Sequence, residues 1–391
     1  MPVAPPDPEQ ALLTPPDAEE ATRLAYGIAS AAAPPSGLTQ LQRLLLEAIA
    51  KAMTEHPVSL QTFPNLSASE LAELMRGRTL EFRSRIVQLM LLLALTLRPL
   101  PPEVVERICE YACELSVDDS MIDVAREFSA GSFGLAALDF ERNGYTAAWH
   151  PDDASFLHSS RELQSAWDVS VTDPALARRW AELENLDPGT LGRGVWEMYQ
   201  ARGFEFPGVP GSAPPLLAQH DWVHVLADYG TIVESELEVF AFIARANDDL
   251  HAFSLLAMVV CLFETGYLRS GAGLFESNVG HLSNDAGHIS VRLADAMYRG
   301  ARCDDVATHS PGIDFLRMDW FELAGIPTEE VRRRFCIPAK SKDAVSAGSV
   351  GPWQPGGISP FQLNSGRAMA ARLGRRYDAH GATPSPHAPA P

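Results

Sequence analysis

PPEVVERICEYACEL, residues 101–115, carries its apolar side chains at helical spacing. Val105, Ile108, Cys109, Ala112 and Cys113 fall at i, i+3, i+4, i+7 and i+8, one continuous stripe. Glu103, Glu106, Arg107, Glu110 and Glu114 lie off it. Cys109 and Cys113 are four residues apart and could offer two metal ligands. No third ligand follows nearby in sequence, so they are assigned to core packing.

The same periodicity recurs along the chain, and alternating runs joined by Asn-Gly or Asp-Gly turns are missing. The expected fold class is all-α. The two most apolar stretches, Ile86–Leu97 and Phe253–Phe263, fall short of the roughly 20 residues needed to cross a bilayer. They read as buried core helices. The organisation expected is an acidic, Pro-rich disordered tail over 1–20, a helical domain over 21–150, a second helical domain over 160–338 and a flexible tail over 339–391. Asn143–Phe156 is the loop-like boundary. Beyond Pro338, Gly, Ser, Pro and Ala dominate.

Across 391 residues, 50 acids against 31 Lys and Arg give a net charge of −19. That balance argues against nucleic acid as a partner, because phosphate neutralisation needs a basic surface. The N-terminus lacks the basic start and apolar run of a signal peptide, and five scattered cysteines make no disulfide framework. A cytoplasmic location is expected. One region runs against the general charge: Arg332, Arg333, Arg334, Lys340, Lys342, Arg367, Arg372, Arg375 and Arg376 stand against Asp343 alone. This basic segment either reaches an anionic membrane as a peripheral contact or folds onto the acidic body.

HDWVHVLADYGTIVESE, beginning at His220, carries the chemistry. Ser212, Pro214 and Pro215 offer a helix start. On the helix that follows, His220 and His224 lie one turn apart on one face, with Asp221 within a third of the circumference. Gly230 is placed to end that helix, and Thr231 with Glu234 spells a capping box for the next. His224 precedes Gly230 by six residues and Glu236 follows it by six. In a hairpin both therefore sit about 9 Å from the bend, at one level. Packed helices would let His220, Asp221, His224 and Glu236 converge on one first-row ion: zinc above all, or iron, cobalt or manganese. A lone His pair at this spacing is expected about 0.3 times by chance in this composition. Adding the Asp and the Glu lowers the expectation to about 0.001, so chance explains the pattern poorly.

H-D-x-x-H-x(11)-E resembles the signature of the Coq-four family of ubiquinone-biosynthesis proteins. DPGTLGRGVWEMYQARGF (Asp187–Phe204) is similar to the helix that precedes the signature in that family. DAMYRGARCDDV and FLRMDWFELAGIPTEEVRRRFCI, with Asp319 and Trp320, resemble its closing region. The resemblance covers about residues 165–338. Trp222, Val223 and Ser235 depart from the family's usual residues. RIVQLMLLLALTLRPLPPEVVERICEYACEL and VDDSMIDVAREF weakly resemble TerB-like helical domains.

The Coq-four resemblance implies metal-dependent work on a prenylated aromatic quinone precursor: oxidative decarboxylation of a ring carboxyl. His220, His224 and Glu236 would then be ligands, and Asp221 either a fourth ligand or a base; Asp221 and Glu236 are the candidate catalytic carboxylates. The competing expectation is a non-catalytic carrier or scaffold for an isoprenoid small molecule, with a structural metal. Phe253–Phe263, Gly271, Gly273, Leu274 and Phe275 would then line the groove. A homo-oligomer is compatible with either.

Three lesser candidates complete the set. Asp228 is placed to bond a ligand imidazole or to face solvent. His281, Asp285 and His288 have ligand-like spacing without an evident fourth partner. Asp248, Asp249 and His251 read as a cap more than as support for an ion.

Overall fold

Helix starts in the first third of the protein are written in single side chains. In the computed structural model, Asp17, Thr39, Ser67 and Thr79 each accept a bond from a backbone N–H three residues on. They open α1 (Ala18–Ala32), α2 (Gln40–Thr54), α3 (Ala68–Leu74) and α4 (Leu80–Ala94). Thr39 with Gln42 and Ser67 with Glu70 complete capping boxes. Next come α5 (Pro102–Glu114), with Pro102 in its first turn, and α6 (Met121–Ser129).

The structure describes residues 15–131, 172–246, 252–265, 280–307 and 310–384. Its later helices are α7 (Pro174–Ala181), α8 (Leu191–Arg202), α9 (Gln219–Ala227), α10 (Val233–Ala246), α11 (Ala252–Thr265), α12 (Ala286–Gly300), α13 (Thr328–Arg334), α14 (Lys342–Ser346) and α15 (Pro360–Arg372). The fold is all-α; among the described residues, the extended structure amounts to one two-residue pairing of Asp304–Asp305 with Ser310–Pro311 and one isolated bridge. No described helix is long and apolar enough to cross a membrane. Both apolar stretches lie in the core instead: α4 is buried continuously from Ser84 to Ala94, and Phe253, Leu256, Val260 and Phe263 of α11 are buried.

Several expectations change within the described residues. The anticipated boundary, Asn143–Phe156, lies outside the described residues, as do residues 1–14. The described segments on either side of it nonetheless share one continuous core, from Leu24 to Phe335. α2 lies along α12, and α4 packs on α11 as well as on α1. Residues 18–20 are already helix rather than tail. The stripe of α5 is rotated from its expected position: Val104, Val105, Ile108, Tyr111 and Ala112 are buried, Cys109 is half-buried and Cys113 is exposed. Tyr111 draws the face round by reaching the carbonyl of Leu66 with its hydroxyl.

A further change concerns residues 339–384, which form an ordered part of the fold. α15 packs on α8, and Ser349, Gln362 and Ala382 are buried. The Gly-rich composition that suggests a flexible tail instead permits backbone-on-backbone contact. A Cβ on Gly357 would lie 2.2 Å from the Gly351 carbonyl oxygen, and one on Gly366 2.1 Å from that of Ala201. Close approach of chains, with few large apolar side chains, holds this segment down.

Candidate metal centre

Three helices deliver the site. α9 starts at Gln219, later than the Ser212–Pro215 signal indicates, because residues 214–221 first make a run of tight turns. Gln219 anchors its start, with Nε2 donating to the carbonyls of Leu316 and Met318 at 3.2 and 2.7 Å. Trp222 is fully buried and stacks on Trp320 with rings 6.0 Å apart, which fixes the rotation of α9. Asp319, beside it, caps a short turn and pairs with Arg179 at 3.3 Å.

The end of α9 differs from its sequence signal. Asp228, not Gly230, takes the left-handed conformation, with φ 63°. Gly230 is needed for a different reason: a Cβ there would stand 2.7 Å from the Gly357 Cα. The Thr231–Glu234 capping box does not form. The Thr231 hydroxyl donates to Gln362 Oε1 at 2.9 Å and accepts from Arg202 Nε at 2.5 Å. Glu234 pairs with His281 at 2.6 Å.

His220, Asp221 and His224 come together as a buried group whose ligand atoms lie within 4.8 Å of one another. Glu236, on α10, meets both imidazoles. Its Oε2 is 3.2 Å from His220 Nε2 and 3.3 Å from His224 Nε2. Asp221 Oδ1 lies 3.5 Å from His220 Nε2. His224 is 0% exposed, Glu236 3%, and His220 and Asp221 6% each.

The imidazole tautomers follow from their other partners. His224 Nδ1 donates to the carbonyl of Gly230 at 2.6 Å, and His220 Nδ1 to that of Leu217. A carbonyl oxygen only accepts, so both Nδ1 atoms carry protons. Each Nε2 therefore presents either a second proton or a lone pair to the same carboxylate oxygen. Two lone pairs cannot face that oxygen without a positive charge between them. Protons or a cation must supply it.

In the metal-free state a second proton on His220 supplies it. Burial works against the His220 cation, but the Asp221 carboxylate and the bond to Glu236 outweigh it, raising the imidazole to about 9. Burial alone would raise Glu236; the charges and bonds of His224 and His220 hold it down at about 2. Asp221 is raised, chiefly by burial, against the pull of both histidines and a bond from Tyr199. The arrangement fits a metal ion on its donor chemistry: two imidazole nitrogens and carboxylate oxygen, with the far side of each ring held by a carbonyl. The buried His220, Asp221 and His224 could hold one.

Two supporting residues escape a reading by sequence. Tyr199, on α8, donates its phenol to Asp221 Oδ2 at 2.6 Å. Arg202, one turn later, is 0% exposed and ties the hairpin bend to the C-terminal segment through the carbonyls of Pro352 and Gly357. Neither has a spacing signal, because each acts across long sequence separations.

The other described candidates do not join the cluster. Asp228 forms an ion pair with Lys340 at 3.7 Å rather than bonding an imidazole. His281 goes to Glu234, while Asp285 and His288 pair at 2.8 Å on the surface. Asp248, Asp249, His251, Gly271, Gly273, Leu274 and Phe275 lie outside the described residues. No protein-family model, curated protein or solved structure matches this chain. The Coq-four and TerB-like resemblances therefore stand on the quoted motifs alone.

Proposed function

We propose that the protein is a metal-dependent enzyme of the Coq-four type. Its substrate is a prenylated aromatic or quinone precursor, and its reaction is oxidative removal of a ring carboxyl group. The observation that carries this proposal is the single Glu236 oxygen facing two imidazole nitrogens inside the fold. Zinc suits the donor set best; iron, cobalt and manganese share it. When bound, the ion supplies a fixed positive charge for a carboxylate or phenolate oxygen and for negative charge accumulating on the ring.

The protein's own groups divide the remaining tasks. His220, His224 and Glu236 hold the ion. Asp221, oriented by Tyr199, is a fourth ligand or the group that exchanges a proton with the ring. Replacing a ring carboxyl by hydroxyl is a two-electron oxidation; with dioxygen as the acceptor, the carboxylic acid, water and O2 would give the phenol, CO2 and hydrogen peroxide. Activity of this kind belongs in the cytoplasm or against a membrane surface where prenyl lipids reside. Several cations of the basic segment are already engaged by the acidic body: Arg334 with Asp305, Arg372 with Glu205 and Arg375 with Glu184.

A second function has its own support. All four ligand candidates are at most 6% exposed, as in a closed structural metal site. The protein would then carry or scaffold a prenyl lipid without converting it. One experiment separates the two. Purified protein loaded with about one ion per chain is incubated with a carboxylated prenyl-phenol under oxygen, and products are followed by mass spectrometry. The enzyme requires turnover that His224→Ala and Glu236→Ala abolish. Prenyl-lipid binding without conversion by the native protein selects the carrier.

A further inference from the structure

A cavity lies where α9 ends, beside Asp228. It measures about 520 Å³, within the roughly 300–1,000 Å³ range typical of small-molecule sites. Its charged lining comprises Arg299, Arg332, Arg333 and Lys340 against Asp228 and Glu329. Four cations against two carboxylates stand out in a protein of net charge −19. Such a recess concentrates anions out of an otherwise repelling field.

Part of this charge has a structural task. Arg332 donates to the carbonyls of Val225 and Leu226, and Arg299 to that of Ala227, so the two close the last turn of α9. That task does not use the whole set. Lys340 Nζ and Ser349 Oγ are buried without a hydrogen-bond partner, while Arg299 also meets the Tyr229 phenol and the charge of Asp295. Lys340 Nζ has the looser ion pair to Asp228, the charge of Glu238 and the face of Tyr229, 4.9 Å from the ring centre. Arg333 stands exposed at the rim. Buried donors left without acceptors are rare in folded proteins, and these two, on Lys340 and Ser349, belong to residues that line one basic cavity.

We propose that this cavity binds a phosphoryl group carried on a small organic moiety. A dianionic phosphomonoester matches the excess of two cations, and guanidinium with ammonium is the donor set that phosphate oxygens prefer. Ile337, Pro338 and Val345 give the cavity an apolar wall for the organic part. The site is separate from the His–Glu cluster and does not depend on the function proposed for it.

Calorimetric titration of the full-length protein with phenyl phosphate, with benzoate, and with phosphatidylcholine vesicles containing or lacking phosphatidic acid tests the assignment. Phenyl phosphate binding with a sub-millimolar Kd, at least tenfold tighter than benzoate, is expected. Lys340→Met and Arg333→Gln should each weaken it about tenfold. Where Lys340→Met also lowers the melting temperature, Arg333→Gln decides, since that side chain is exposed. Binding only to vesicles with phosphatidic acid, weakened by the same variants, would assign the phosphoryl group to a lipid headgroup. No binding to any probe, equal binding of benzoate, or binding that both variants leave unchanged would overturn the proposal.

Discussion

The phenol of Tyr199 donates to Asp221 Oδ2 across 2.6 Å, and both side chains are buried. This bond fixes which Asp221 oxygen is left to face His220. Tyr199→Phe removes the donor and little volume, so the fold should persist with about 2 kcal/mol less stability. Metal affinity should fall by roughly 10–100-fold, as it does when a partner of a ligand is removed. Competition titration against a coloured chelator measures this, and unchanged affinity would mean that Asp221 takes no part in holding the ion.

Metal content tests the centre directly. About one first-row ion per chain is expected by plasma mass spectrometry, and His224→Ala or Glu236→Ala should reduce it to near zero. Chelation should lower the melting temperature of the native protein by about 5 °C or more, because an ion bound only by the folded state stabilises that state. Native protein that retains its melting temperature and never holds an ion would sink the assignment.

Much of this was legible in the sequence, in particular ways. The His220–His224 spacing and the distance to Glu236 are helical arithmetic, and Glu236 Oε2 lies 3.2 and 3.3 Å from the two imidazole nitrogens. The all-α class follows from periodicity such as that of α5. What was not legible depends on contacts distant in the chain. Thr231 and Glu234 spell a capping box locally, yet Arg202, Gln362 and His281 draw both side chains elsewhere. The Gly-rich segment after Pro338 has the composition of a loose tail. Glycine serves there to let Gly357 lie against Gly230 and Gly351, which composition does not reveal.

Those contacts yield a prediction of their own. Gly230→Ala and Gly357→Ala each place a methyl group into a neighbouring backbone and should cost about 1–3 kcal/mol by denaturant titration. Because the Gly230 carbonyl holds His224 Nδ1 at 2.6 Å, Gly230→Ala should also weaken metal binding. A variant with normal stability and full metal content would show that this approach carries no weight.

The pH response of the metal-free protein follows from two groups with opposite signs. Glu236, held near 2 against an ordinary 4.5, contributes stability that is present above 4.5 and lost as pH falls towards 2. His220, raised to about 9 from 6.5, contributes stability present below 6.5 and lost as pH rises through 9. Asp221, raised by burial, offsets part of the gain from Glu236 once it ionises. Chelated protein should therefore be most stable between about 4.5 and 6.5. Metal binding needs His220 without its second proton, so affinity should rise with pH and binding at neutral pH should release about one proton. Calorimetry in buffers of different ionisation enthalpy counts that proton; uptake instead of release would contradict the ligand assignment.

Thr231 and Gln362 are 131 positions apart in the chain, yet they share a hydrogen bond at the bend of the hairpin. Synthesis runs from the N-terminus, so His220, His224 and Glu236 leave the ribosome well before the segment that fastens their bend. Until Pro352, Gly357 and Gln362 follow, Arg202 and Thr231 have none of these partners to grip. The centre is thus finished late in the protein's making. Capture of an ion by this cluster would belong to the completed chain, not to the nascent one.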